Sequence, residues 1–177
     1  MRVTVDTQVM IWCLRHEATS DQQYRLEEAE AFMAWVEESK SQLVLTNYAV
    51  SEYLVGGTPR EIAREMETLS ERFEIVDFDI NAATIAADLY SDKAFAHHLG
   101  KDLGLKRPCM KADIAIIATA MAHDIKTIFS EDSGVRAVAD RAGLPCREML
   151  STVKKEETPV PEPPKKQQQR TMLNEEG

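Results

Sequence analysis

The sequence predicts an α/β fold, a three-layer α/β/α sandwich with a mainly parallel central sheet. Three observations carry this. β-rich runs at 3–6, 42–46, 73–78 and 125–129 are each separated from the next by helical pattern. The intervening segments repeat apolar residues at three and four positions, the period of a helix with one buried face. The length, 177 residues, suits one domain with a sizeable core.

Val3-Thr-Val-Asp6 is the first strand, closed by an acid, and Thr7 to Arg15 follows as a helix carrying Val9, Met10, Trp12 and Leu14. Asp21 to Lys40 is a stronger helix: Leu26, Ala29, Phe32, Met33 and Val36 share one face, with glutamates mostly outward. Gln42–Thr46 is a buried strand, and Asn47–Val55 a short helix ended by Gly56-Gly57. Thr58-Pro59 opens the next helix, proline being favoured in a first turn. Phe73–Phe78 is a third strand, Asn81–Leu99 one Ala-rich helix, and Gly100–Met110 a loop punctuated by Gly100, Gly104 and Pro108. Asp113 then stands at the entrance of an apolar helix through Ala122, where negative charge is favourable. A strand at 125–129, a helix over 133–142 ended by Gly143 and an edge strand near 144–149 complete the domain, 1–150. Residues 151–177 hold four of the seven prolines and a run of glutamines, the composition of a disordered tail.

At 44% hydrophobic and 29% charged, the composition is that of a soluble globular protein, and no run approaches the ~20 apolar residues of a membrane helix. Three widely spaced cysteines, Cys13, Cys109 and Cys146, suggest neither a disulfide framework nor a zinc site, and point to the cytoplasm. Net charge is −9; residues 151–177 carry five basic and five acidic side chains, so the excess belongs to 1–150. Such an acidic body argues against a broad phosphate-binding surface. A nucleic-acid enzyme of this charge needs a local basic patch, or metal ions that reverse the sign at its site.

In parallel sheets, sites lie beyond the carboxyl ends of the strands. Asp6, Glu52 and Asp132 follow strand ends, and Asp113 precedes the helix that feeds one of those strands. Singly, each has a plain explanation as a turn former, a surface acid or a helix cap. Together on one edge they would repel unless neutralised, and hard cations such as Mg²⁺ or Mn²⁺ are the natural partners of carboxylate oxygens. The histidines lack ligand spacing, and no GxGxxG, GxxxxGK[ST] or GxSxG is present. Asp77-Phe-Asp79 lies at a strand end, where a helix cap at Asp79 explains it.

Val-Thr-Val-Asp6-Thr, Thr46-Asn-Tyr-Ala-Val-Ser-Glu52, Lys111-Ala-Asp113-Ile-Ala-Ile-Ile-Ala-Thr-Ala and Ile128-Phe-Ser130-Glu-Asp132 resemble, in order, the successive motifs of PIN-domain nucleases. The third is the most specific, and the likeness spans residues 1–150. It implies an α/β/α sandwich and metal-dependent endonucleolytic hydrolysis of RNA. By the same likeness, Asp6, Glu52, Asp113 and Asp132 form the acidic set, with Mg²⁺ or Mn²⁺ on Asp6, Asp113 and Asp132. Glu52 is then a ligand or the base that orients water, and Ser130 the supporting hydroxyl. Members of this length include toxins of bacterial toxin–antitoxin modules, which implies an antitoxin as partner; the Pro/Gln tail is foreign to that pattern.

Residues 97–111 hold Lys101, Lys106, Arg107 and Lys111 against one acid, Asp102, with His97 and His98 alongside, and form the candidate RNA-phosphate contact. Tyr48 and Tyr53 flank Glu52 and are candidates for base stacking, or for packing. Lys154, Lys155, Lys165 and Lys166 offer weaker contacts from the tail. The apolar faces of the first two helices suit a partner, including a second copy of the chain, or simply the core. Two other functions compete: a non-catalytic PIN-like RNA- or protein-binding module whose acids are caps, and a haloacid-dehalogenase-like phosphohydrolase. The latter wants an Asp two residues beyond the nucleophile, where Asp6 is followed by Thr7 and Gln8.

Overall fold

The computed structural model describes residues 1–101, 104 and 106–149. The tail expected from residue 151 lies outside the described residues. The strands are β1 (Arg2–Val5), β2 (Gln42–Thr46), β3 (Glu74–Val76), β4 (Thr127–Phe129) and β5 (Cys146–Arg147). They form one five-stranded sheet in the order β3-β2-β1-β4-β5, every pairing parallel. The helices are α1 (Thr7–Met10), continued by a π-turn (Ile11–Arg15), then α2 (Tyr24–Glu38), α3 (Asn47–Tyr53), α4 (Pro59–Arg72), α5 (Ile80–Ser91), α6 (Lys93–Lys101), α7 (Arg107–Ala122) and α8 (Ser133–Ala142).

The central strands are buried on both faces. Val3, Thr4 and Val5 in β1, Leu43 to Thr46 in β2 and all of β4 are buried, the continuous pattern of a parallel sheet covered by helices. The chain runs outward from β1 to β2 and β3, then returns past β1 to β4 and β5. Right-handed crossovers put the helices of these two halves on opposite faces, giving three layers. On one face, Phe32 and Trp35 of α2 pack against Phe129 of β4, with ring centroids 4.8 and 5.5 Å away. The apolar faces of the first two helices are thus spent on the core: Val9, Met10, Trp12, Ala29 and Phe32 are buried.

On the other face α7 packs against α5 and α8, and Ile114 to Ala120 are buried all round, as in a helix with neighbours on every side. Local capping fixes where several elements begin. Thr58 and Glu61 form a reciprocal capping box at α4, with Pro59 in the first turn. Asp79 caps α5 and Asp132 caps α8, which ends on Gly143 at φ 74°, a left-handed position that glycine takes without a Cβ clash.

Two expectations are corrected. The Ala-rich stretch 81–99 is not one helix: Asp92 is extended, with ψ 92°, and its carboxylate accepts from Phe95 N–H at 2.9 Å, ending α5 and starting α6. Nor is 100–110 all loop. Gly100 and Lys101 belong to α6, and α7 begins at Arg107 with Pro108 in its first turn, where the missing N–H costs nothing. Asp113 therefore stands in the second turn of α7, not at its entrance, and is no cap.

Candidate active site

The order of the sheet creates a switch point between β1 and β4, where the chain's crossovers change direction. Crevices beyond the carboxyl ends of strands open at such points. Asp6 follows β1 and Ser130 follows β4, and the Asp6 N–H donates to Phe129 O at 3.2 Å, knitting the two ends together. A cleft of about 170 Å³ opens there, lined by Asp6, Thr7, Gln8, Glu52, Asp113, Ile116, Asp132 and Val135. All four acids singled out in the sequence line it.

Three of these acids are held by hydrogen bonds. Asp6, only 4% exposed, caps α1 by accepting from Val9 N–H at 2.8 Å through Oδ1, and takes the Ser130 hydroxyl on Oδ2. Ser130 in turn accepts from Asp132 N–H at 3.0 Å, so one buried hydroxyl ties Asp6 to the backbone of Asp132. Asp132 Oδ1 caps α8 by accepting from Gly134 N–H (2.6 Å) and Val135 N–H (3.1 Å). Glu52 Oε2 accepts from the Thr7 hydroxyl at 2.6 Å. Asp113, half-buried on α7, receives no hydrogen bond among the described residues.

The electrostatics follow from that arrangement. Burial, opposed by the bonds from Ser130 and Val9 and reinforced by Asp132 and Glu131, pushes the Asp6 carboxyl up to about 6. Asp113 is pushed up to about 7, first by burial and then by repulsion from Asp132, Glu52 and Asp6. With no donor to hold its charged form, Asp113 is the acid most relieved by a proton or a cation.

Among the described residues, no three His, Cys, Asp or Glu side chains are gathered into a ready-made ligand cluster. The acids instead surround the cleft. Their chemistry nevertheless suits a hard divalent ion: every candidate ligand is a carboxylate oxygen, and Asp113 carries a repulsion that a cation removes.

The other sequence candidates lie elsewhere. Lys101, Lys106 and Lys111 are exposed, and none lines the cleft. Lys111 sits two residues before Asp113 and so about 200° around the helix from it. Arg107 opens α7, while Asp102 lies outside the described residues. His97 and His98 are exposed on α6. Of the two tyrosines, Tyr53 is buried beneath the Arg15 guanidinium, 4.2 Å from its ring, and is unavailable for stacking; Tyr48 is 36% exposed.

Sequence reasoning missed Thr7, whose only signal was its place beside Asp6. It also missed Arg25 on α2. The Arg25 guanidinium lies 2.7 Å from Glu28 and 3.1 Å from Glu131, the residue between Ser130 and Asp132, and faces the Trp12 ring at 5.4 Å. Glu131 also accepts from Met149 N–H at 3.2 Å. No periodicity in the sequence announces a contact between residues so far apart.

The sequence profile of the PIN domain matches residues 3–141. The chain belongs to the PIN domain family. Among solved structures, the PIN chain is similar in fold to a chain of VapBC2 from Rickettsia felis, solved bound to a DNA fragment from their promoter. The TM-score is 0.51 at 15% identity, over 84% of this chain and 98% of that one. It is similar also to a chain of VapBC-1 from nontypeable Haemophilus influenzae, with TM-score 0.57 and 13% identity over 85% and 99% of the two chains. A third, from VapBC-5 of Mycobacterium tuberculosis, described as a member of the VapBC family of toxin–antitoxin systems, scores 0.46 at 18% identity over 83% and 98%. No curated protein matches the chain in sequence. Among the described residues, no helix is long and apolar enough to cross a membrane.

Proposed function

We propose that this PIN domain is a divalent-metal-dependent endoribonuclease. The observation that carries the reading is the convergence of Asp6, Glu52, Asp113 and Asp132 on one cleft at the switch point of the sheet. Asp6, Asp113 and Asp132 would hold Mg²⁺ or Mn²⁺; such an ion would supply a lowered pKa of water and charge to offset that developing on the scissile phosphate. Glu52 orients the attacking water and accepts its proton through the oxygen that Thr7 leaves free. Ser130 keeps Asp6 and the Asp132 loop in register.

The exposed lysines at 101, 106 and 111, with Arg107 in the same stretch, contact RNA phosphates outside the cleft and offset the acidic body. The similarity in fold to VapBC chains supports a toxin role in the cytoplasm, with a small antitoxin protein as partner.

The test is cleavage of a mixed RNA pool by purified protein with Mg²⁺, Mn²⁺ or EDTA, beside Asp113→Asn. Metal-dependent cutting lost in the variant is the expected result. Equal cutting by both proteins would mark the activity as a contaminant's and say nothing for this chain. If neither cuts and calorimetry detects no Mn²⁺ binding, the chain is instead a non-catalytic binding module in which Asp6 and Asp132 serve only as helix caps.

A further inference from the structure

Glu52 differs from the other cleft acids in how it is kept in place. Asp6 and Asp132 are short side chains pinned by backbone N–H groups of their own helices, at 2.8 Å for Asp6 and 2.6 and 3.1 Å for Asp132. Asp113 projects from the middle of a buried helix. Glu52 has one more rotatable bond and stands half-buried on a short helix, α3. It also faces like charge: its carboxylate is among the groups that push the Asp113 carboxyl up to about 7. Repulsion and side-chain entropy both favour its swinging out to water.

A single described hydrogen bond opposes this, from the Thr7 hydroxyl to Glu52 Oε2 at 2.6 Å. Thr7 is well placed to hold it. It is the first residue of α1, and its backbone is fixed by the Asp6 cap before it. Its β-branched side chain has few χ1 options, so the hydroxyl is pre-aimed. Both residues line the cleft. The hydroxyl satisfies one carboxylate oxygen and leaves Oε1 for the reaction.

We infer that Thr7 is a positioning residue, whose hydroxyl holds the Glu52 carboxylate in the cleft with Oε1 directed at the attacking water. This rests on the nuclease reading above. The role is specific to the hydroxyl: valine at position 7 preserves shape and branching but cannot donate, whereas serine can.

The experiment compares wild type, Thr7→Val, Thr7→Ser and Glu52→Ala, with and without Thr7→Val in the Glu52→Ala background, on a short RNA cut by the wild type. A hydrogen bond to a charged group predicts a fall of about ten- to a hundred-fold in kcat for Thr7→Val, with KM within about twofold. Thr7→Ser restores kcat to within about threefold, and Thr7→Val adds nothing once Glu52 is alanine. Calorimetric Mn²⁺ affinity, which depends on the other three acids, stays unchanged in Thr7→Val, a result that general damage to the site would not give. Should Thr7→Val fail to melt cooperatively, Thr7→Ala against Thr7→Ser carries the same comparison.

Wild-type kcat in Thr7→Val, or equal loss in the valine and serine variants, would overturn this inference and leave the nuclease reading standing. A wild type that neither cuts RNA nor binds Mn²⁺ would overturn both.

Discussion

Asp79 and Asp132 are, locally, the same residue twice. Each is the third residue after a strand, β3 or β4, and the N-cap of the following helix. Each gives one oxygen to two backbone N–H groups: Asp79 to Asn81 and Ala82, both at 2.9 Å, and Asp132 to Gly134 and Val135 at 2.6 and 3.1 Å. They part company only in the sheet. β3 is an edge strand, and the second oxygen of Asp79 lies 3.7 Å from the His123 ring. β4 sits beside β1 at the switch point, and Asp132 lines the cleft with Asp6 and Asp113. The contrast teaches that a capping acid becomes a candidate ligand through the neighbour of its strand.

The largest expected effect comes from the same change at both positions. Asparagine is as good a cap as aspartate, so Asp132→Asn and Asp79→Asn should both melt within a few degrees of wild type. RNA cleavage should fall about a hundredfold or more in Asp132→Asn and stay within twofold in Asp79→Asn. Equal activity in the two variants would break the comparison.

Next in size is the pH response of the repelled acid. For Asp6 and Asp113 the folded-state pKa lies above the ordinary 3.8, at about 6 and about 7. The folded chain therefore binds more protons than the unfolded one between these values. Stability without metal should decline as pH rises from about 4 to about 7, and level off above. Melting temperatures in EDTA across that range measure it. Asp113→Asn should flatten the upper part of the decline, and Mn²⁺ should raise the melting temperature most at the alkaline end. A wild-type profile that rises over the same range would contradict the crowding of the carboxylates.

The smallest effect separates the first residues of the two strand-to-helix turns. Ser130→Ala removes the buried donor to Asp6 and the part-buried acceptor of Asp132 N–H, and should cost about 1–3 kcal/mol in urea unfolding. Asp77→Ala, at the matching place after β3, loses only an exposed 3.2 Å bond from Asn47 and should cost under about 0.5 kcal/mol.

Much of this was legible in the sequence, for local reasons. The strand at 42–46 and the helix starting at Thr58-Pro59 stand where composition and capping put them. The break at Asp92 was hidden because alanines continue on both sides of it. The start of α7 was hidden because Gly104 and Pro108 read as loop, although a proline in a first turn starts a helix as readily as it ends one. Of the site, the four acids stand out at strand and helix ends and in motifs that resemble those of the PIN family, although the cap that explains Asp113 in the sequence is absent from the fold. The Thr7–Glu52 and Arg25–Glu131 contacts could not be read at all, because they join elements that meet only in the folded sheet.

By itself the sequence determined most of the elements, their parallel character and the identity of the acids, since periodicity, capping and strand composition act over a few residues. Tertiary structure alone decided the strand order, and with it which capping aspartate meets Asp6. It also decided which hydroxyl holds Glu52 and which carboxyls are driven above their ordinary pKa. Those outcomes depend on burial and on like charges brought together across the fold, and no local pattern encodes either.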